Sequence, residues 1–189
     1  MNPQPIILAS ESPRRRELFS LITDNFLCVR SPADESGTAG EPASELSLLL
    51  ARRKCLAAAA LYPNRVVVGC DTVVEARGET LGKPRDRVDA IRMLSLLSGT
   101  VHSVYTGVCI ARGAELASFV CRSYVRFIDI PGDELEAYAD TDEPYDKAGA
   151  YGIQGRAARF VDSITGDYFN IMGLPISMLW RELRALNAL

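Results

Sequence analysis

The 189-residue sequence predicts an α/β fold in which a twisted, mixed β-sheet carries helices on both faces. Three observations carry that prediction. Strand-like and helix-like segments alternate through the first half of the chain, and strand-like segments then cluster between residues 101 and 130. The run from Val66 to Val74 is dense enough in β-branched side chains to be a central strand covered on both sides. Length and composition agree. At 20.6 kDa, with 48% hydrophobic and 24% charged residues, the chain suits one domain over residues 1–189 or two small lobes sharing a cleft. Disorder, collagen and coiled coil are excluded as classes.

The elements follow in order. Ile6 to Ala9 reads as a short buried strand, and Ser12 as cap with Pro13 as first helical residue opens a helix through about Ile22. Ser31 to Glu41, rich in Ser, Gly, Pro and acids, reads as a loop, and a Leu- and Ala-rich helix spans about Ala43 to Leu61. The central strand covers Arg65 to Glu75 and ends at a turn marked by Gly78. A helix runs from Asp86 to Leu97 and stops at Ser98-Gly99. Val101 to Ala111 and Leu116 to Ile130 are strands, and Pro131-Gly132-Asp133 starts a short helix. Thr141 to Gln154 has neither helical nor strand periodicity and is expected to be a long functional loop. Arg159 to Ile164 reads as a strand. Gly166-Asp167 turns the chain, and Leu174-Pro175 opens the last helix, with Leu179, Leu183 and Leu186 on one face.

Composition also bounds function. The net charge of −3 argues against a nucleic-acid polymer as partner, since that affinity comes mainly from Lys and Arg neutralising phosphates. A local basic patch is still compatible with a small polyanion. One histidine, His102, rules out HExxH and His-rich zinc centres, so a metal would sit on oxygen ligands. Five cysteines without a CxxC predict reduced, buried thiols in a cytoplasmic protein. The apolar stretch at residues 6–9 is too short for a signal peptide or a membrane span. P-loop, GxGxxG and GxSxG motifs are all missing, and His102 in an apolar strand reads as a packed structural histidine.

Two charge anomalies point to chemistry. Arg14, Arg15 and Arg16 occupy the first turn after Pro13, where cations oppose the helix dipole by roughly 0.3–1 kcal/mol each unless an anion binds there. Strand, tight turn, helix start and arginines together predict a phosphate pocket, with Ser10 or Ser12 as further donors. A solvated basic turn is the alternative. Asp71 lies inside a β-branched strand, where an acid needs either a cation beside it or chemistry to perform; a divalent metal, a lysine, or work as a general base would each account for it. The alternative is a carboxylate capping the strand end. Lys83, at the rigid bend Gly82-Lys83-Pro84, could meet a phosphate. Lys54 falls at helical spacing with Leu50, Ala57, Ala58 and Leu61, which favours an inward-facing ammonium, although Arg53 lies near the same face and a snorkelling lysine is the alternative. Asp34 and Glu35 could supply oxygen ligands to a hard cation, or belong to a solvated acidic loop.

Several long stretches, in order, resemble the Maf proteins, a family of nucleoside triphosphate pyrophosphatases. They are Ser10 to Leu18 (SESPRRREL), Gly69 to Val74 (GCDTVV), Gly82-Lys83-Pro84, His102 to Val108 (HSVYTGV), Glu143 to Gly155 (EPYDKAGAYGIQG) and Gly173-Leu174-Pro175. The resemblance runs nearly end to end. It implies an inosine-triphosphatase-like fold with two lobes around a central cleft, hydrolysis of a nucleoside triphosphate between its α and β phosphates, and a homodimer. Carried onto matching positions, it implies Asp71 as proton acceptor, and Ser10, Arg15, Glu35, Lys54 and Lys83 around the phosphates and a Mg or Mn ion held by Asp71 and Glu35. Arg14, Thr72 and Gln154 fall where the dTTP/UTP-preferring subgroup has its specificity residues, and the wording Ala-Tyr-Gly-Ile-Gln-Gly favours that subgroup over one acting on 7-methyl-GTP. The amide of Gln154 is expected to read the uracil or thymine edge. A nucleotide-binding regulator of cell division with slow turnover would share the pocket, but binding alone has no need of a carboxylate aimed at a polyanion.

Overall fold

A computed structural model describes residues 4–34 and 40–189, and β3 (Val66–Ala76) is the axis of the architecture. Before it come β1 (Ile6–Leu8), α1 (Pro13–Ser20), β2 (Phe26–Cys28) and α2 (Ala43–Leu61). After it come β4 (Glu79–Leu81), α3 (Arg87–Leu97), β5 (Val101–Arg112), β6 (Glu115–Phe127) and α4 (Gly132–Ala139). Three short 3₁₀ turns lead to β7 (Val161–Thr165), α5 (Tyr168–Met172) and α6 (Ile176–Ala185). The strands form one sheet in the order β2-β1-β3-β5-β6-β7, with β4 paired to the far end of β3. Pairing is parallel at β2-β1-β3 and antiparallel elsewhere, which makes the sheet mixed, as the sequence predicts.

Alternation along β3 divides the molecule. Val67, Gly69, Asp71 and Val73 face α2, and the small residues of that helix meet them: Cys55 and Ala58 pack with Ile7, Val67 and Cys109. Val68, Cys70 and Val74 face the other way, into a larger core fed by Leu18 and Phe19 of α1, Leu94 and Leu97 of α3, Tyr138 of α4, and Leu179 and Leu183 of α6. Helices therefore cover both faces. α2 lies unusually close to the sheet because two glycines lie beneath it. A Cβ on Gly69 would stand 2.6 Å from the Ala51 carbonyl oxygen, and one on Gly107 would stand 2.6 Å from Leu48 Cα. These glycines are required by close approach rather than by a turn.

Local chemistry explains most element ends. Pro13 opens α1 after Ser12, as predicted, and Asp86 caps α3 by accepting the Asp89 N–H at 2.8 Å. The Ser12 hydroxyl makes no cap bond, so the first N–H groups of α1 are left for another acceptor. Three elements differ from the sequence expectation. β2 and β4 are three-residue strands, and α5 is a five-residue helix between the predicted turn at Gly166-Asp167 and the predicted helix start at Leu174-Pro175. The expected loop at residues 141–154 has no regular strand or α-helix, only 3₁₀ turns at Glu143–Asp146 and Ala148–Ala150.

On one side β3 pairs with β5 from Val66 to Glu75. On the other it pairs with β1 only at Val67 and Val68, and with β4 only from Val74 to Ala76. Among the described residues no strand pairs with that edge from Gly69 to Val73. The cleft opens at this interruption.

Candidate active site

The cleft has a volume of about 520 Å³, in the range of small-molecule sites. One wall is the start of α1 with Arg14 and Arg15. Lys54 of α2 and Asp71 to Val74 of β3 form the floor, and Lys83, the segment from Asp146 to Gly155 and the turn after α5 close the remaining sides. The sequence-predicted residues Arg14, Arg15, Lys54, Asp71, Thr72, Lys83 and Gln154 all line this one space.

The central contact is an ion pair: Lys54 Nζ donates to Asp71 Oδ1 at 2.6 Å, with both side chains largely buried. Lys54 faces inward, as its helical spacing predicts, and is only 8% exposed. The geometry follows from α2 resting on Gly69 and Gly107, which brings the Lys54 turn onto the face of β3 that carries Asp71. A buried carboxylate with a cationic partner avoids the cost of several kcal/mol that an unpaired one would carry. It also places the Asp71 carboxylate at the edge of the cleft, within reach of whatever binds there.

Arg15 is fixed from two sides. Its Nε donates to the Gly173 carbonyl at 2.9 Å and its Nη2 to Thr72 Oγ1 at 3.0 Å. Arg14 reaches across the cleft mouth, Nη1 to Asp146 Oδ2 at 3.2 Å, and Lys147 Nζ contacts the other Asp146 oxygen at 2.5 Å. Burial works to raise the Asp146 carboxyl, but the hydrogen bond from Lys147 and the Arg14 charge prevail and hold it below the ordinary carboxylate value. Lys83 is exposed at its bend, where the Gly149 N–H ties the 141–155 segment to the Gly82 carbonyl at 3.0 Å.

The segment bearing Gln154 is held from below. Tyr138 Oη donates to Glu143 Oε1 at 2.9 Å, Glu143 Oε2 accepts the Arg156 N–H at 2.9 Å, and Tyr145 Oη donates to the Ala139 carbonyl at 2.7 Å. Burial pushes the Tyr138 phenol well above its ordinary value, and the contact with Glu143 adds to it, so it stays a donor. Gln154 itself is exposed to the cleft. His102 lies behind, fully buried, 2.8 Å from Tyr151 Oη and edge-on to Phe127, as expected of a packed histidine.

Two expected residues do not join this group. Ser10 is buried and turned into its own loop, where Oγ accepts the Ser12 N–H at 3.3 Å; it does not line the cleft. Glu35, expected as a metal ligand, lies outside the described residues. Asp146 and Lys147 line the cleft and Thr106 lies buried behind it, and sequence reasoning gave none of the three a role of its own. Asp146 and Lys147 lie inside the 141–154 segment but carry no local anomaly, and Thr106 is a buried hydroxyl whose partner is set by strand register.

Among the described residues no group of three His, Cys, Asp or Glu converges on one point. A Mg-like ion is commonly held by one or two carboxylates together with phosphate oxygens and water. The Asp71 carboxylate, with one oxygen on Lys54 and its side chain in the cleft, fits that donor set. No helix of the described residues is long and apolar enough to cross a membrane. All five cysteines are unpaired thiols, four of them buried.

Known proteins bear on this geometry in two ways. The Staphylococcus aureus Ham1 protein shares the fold, with a TM-score of 0.53 over 97% of this chain and 100% of its own at 16% identity. A protein of Symbiobacterium thermophilum named dTTP/UTP pyrophosphatase is 46% identical over 173 residues, which are 92% of this chain and 89% of the relative. One of the same name from Bacillus cereus is 44% identical over 186 residues, 98% of this chain and 92% of the relative. The model of the family described as Maf-like protein matches residues 5–186. With that match spanning nearly the whole chain, including every segment that builds the cleft, the chain belongs to the Maf-like protein family.

Proposed function

We propose that this protein hydrolyses nucleoside triphosphates between the α and β phosphates, with dTTP, UTP and modified pyrimidine nucleotides as substrates, and so removes such nucleotides in a house-cleaning role. The relatives' name supports the substrate class. The observation that carries the reaction is the Asp71–Lys54 pair at 2.6 Å in a cleft also lined by Arg14, Arg15, Lys83 and Lys147.

A triphosphate brings about four negative charges, and hydrolysis adds more to the departing pyrophosphate. The lysines and arginines of the cleft offset that charge in a site that partly excludes water, where it counts most. Asp71 orients a water molecule and takes its proton as the water oxygen bonds to phosphorus, while the bridging P–O bond breaks and pyrophosphate leaves with the electron pair. Asp71 and Glu35 would hold Mg or Mn, which would supply further neutralisation of phosphate charge when bound. Lys54, donating to one carboxylate oxygen, keeps the carboxylate aimed. Gln154, whose amide both donates and accepts, pairs with the O4 and N3–H edge of uracil or thymine, and Arg14 and Thr72 flank the same space.

The test is a nucleotide panel with Mg or Mn, scored by pyrophosphate release and repeated with Asp71→Asn. The expected result is turnover of dTTP and UTP well above CTP and purine triphosphates, and a loss of at least about 100-fold in kcat for the variant, the usual scale of general base removal. Equal rates on CTP or purines would overturn the base selectivity. Full turnover by Asp71→Asn would overturn the role of Asp71.

A further inference from the structure

Arg15 stands at the head of a line of hydroxyls that runs through the sheet. Its Nη2 donates to Thr72 Oγ1 at 3.0 Å, Thr72 Oγ1 lies 2.9 Å from Thr106 Oγ1, and Thr106 Oγ1 lies 3.1 Å from the Asn170 carbonyl oxygen. Register sets the middle link, since Thr72 and Thr106 are directly opposed on β3 and β5. The far end is rigid. Thr106 and Asn170 are fully buried, and Asn170 is itself pinned by Nδ2 donating to the Val104 carbonyl at 3.0 Å and to Ser123 Oγ at 2.9 Å.

The direction of this line is determined at both ends. A carbonyl oxygen only accepts and a guanidinium only donates, whereas each threonine hydroxyl carries one proton. Thr106 must spend its proton on Asn170, because the reverse orientation would set two lone pairs against each other at 3.1 Å. Thr72 must then give its proton to Thr106, which leaves a Thr72 lone pair facing Arg15. All donors point the same way, from guanidinium to Thr72 to Thr106 to the carbonyl, and hydrogen bonds so arranged polarise one another.

We propose that Thr106 is a positioning residue for Arg15: by fixing the direction of the Thr72 hydroxyl, it holds the Arg15 guanidinium in place for phosphate. The proposal rests on Arg15 as a phosphate-binding group. It goes further in giving a role to a buried threonine that touches no substrate, and in making Thr72 an acceptor with its proton already committed. Without Thr106 the Thr72 hydroxyl rotates freely, and Arg15 keeps only Gly173 as a well-directed partner.

Calorimetric binding of inorganic pyrophosphate to the wild type, Thr106→Val, Thr106→Ser, Arg15→Ala and the Arg15→Ala/Thr106→Val double variant tests this, with thermal melting alongside. Thr106→Val is expected to weaken pyrophosphate binding about fivefold, the equivalent of one ordinary hydrogen bond. Thr106→Ser should stay within about twofold of wild type because it restores the hydroxyl. In the Arg15→Ala background Thr106→Val should add nothing, since its effect passes through Arg15. Unchanged affinity of Thr106→Val beside a weakened Arg15→Ala would overturn the proposal while leaving Arg15 as a phosphate group. So would an equal loss from Thr106→Val in both backgrounds. Arg15→Ala binding pyrophosphate as wild type does would remove the phosphate reading itself and this proposal with it. Should Thr106→Val melt below the assay temperature, Thr72→Val breaks the same line nearer the cleft and takes its place in the cycle, with the same expected pattern.

Discussion

Gly107→Ala tests whether the spacing between α2 and the sheet sets the Lys54–Asp71 pair. An added Cβ would lie 2.5 Å from the Ser47 carbonyl carbon and 2.6 Å from Leu48 Cα, both backbone atoms that cannot rotate away. The Ser47 carbonyl oxygen is nearer still, so reaching an ordinary contact of 3.4 Å requires α2 to retreat by about 1 Å. Overpacking of this kind costs about 1–3 kcal/mol, which for a chain of this size lowers the melting temperature by about 3–10 °C. The same retreat carries Lys54 away from Asp71, now 2.6 Å apart, and a displacement near 1 Å at reacting groups costs about 100-fold in rate. Circular dichroism melts and pyrophosphate release from dTTP at 25 °C measure the two effects separately. Gly132→Ala is the control, because nothing lies within 4 Å of a Cβ there. A Gly107→Ala variant that melts early yet keeps wild-type kcat/KM would refute the link between helix spacing and the Lys54–Asp71 pair. One that neither melts early nor slows would refute the close approach itself.

Two further predictions concern charge. Burial holds His102 at about 4, below the ordinary 6.5, so the unfolded chain takes up a proton between those values that the folded chain refuses. The stability involved is fully present above pH 6.5 and lost as pH falls to 4, on the order of 3 kcal/mol in all; urea midpoints at pH 7 and pH 4.5 should differ more for wild type than for His102→Phe, and equal differences would remove the assignment. Arg14→Ala breaks a link to Asp146 whose side chains are 31% and 61% exposed, so stability should change by less than about 1 kcal/mol. KM for dTTP should nevertheless rise about tenfold or more from loss of a charged substrate contact. A KM unchanged from wild type would take Arg14 out of the binding site.

What the sequence makes legible are residues that break a local rule or satisfy a strong one. Pro13 and Asp86 announce helix starts, the Val66–Val74 run announces the central strand, and α2 spans the residues its Leu and Ala spacing predicts. Arg14, Arg15 and Asp71 are legible because a cation at a helix start and an acid in a buried strand are locally unfavourable and demand a partner. β2, β4 and α5 are hidden because three to five residues hold less than two turns of any hydrophobic period. Thr106 and Asn170 are hidden for another reason: nothing local marks a hydroxyl whose partners are fixed by cross-strand register and by a helix some sixty residues onward. Ser10 shows the converse, a hydroxyl in the right stretch whose oxygen accepts the Ser12 N–H of its own loop and which does not line the cleft.

The interruption of pairing along β3 explains how one strand serves chemistry on both of its faces. Asp71 and Thr72 are adjacent, so their side chains point to opposite sides of the sheet. In an interior strand with both edges paired they would meet different layers and share no space. Here the edge from Gly69 to Val73 lacks a strand partner among the described residues, and the cleft wraps around that edge. Lys54 reaches Asp71 from the α2 layer, while Arg15 reaches Thr72 from the layer of α1 and α5. Cations from two otherwise separate cores thus converge on one cleft, within a chain whose net charge is −3. The unpaired backbone of that edge must find water or ligand to satisfy it. Filling the gap with another strand would satisfy the backbone and, in the same step, divide the site in two.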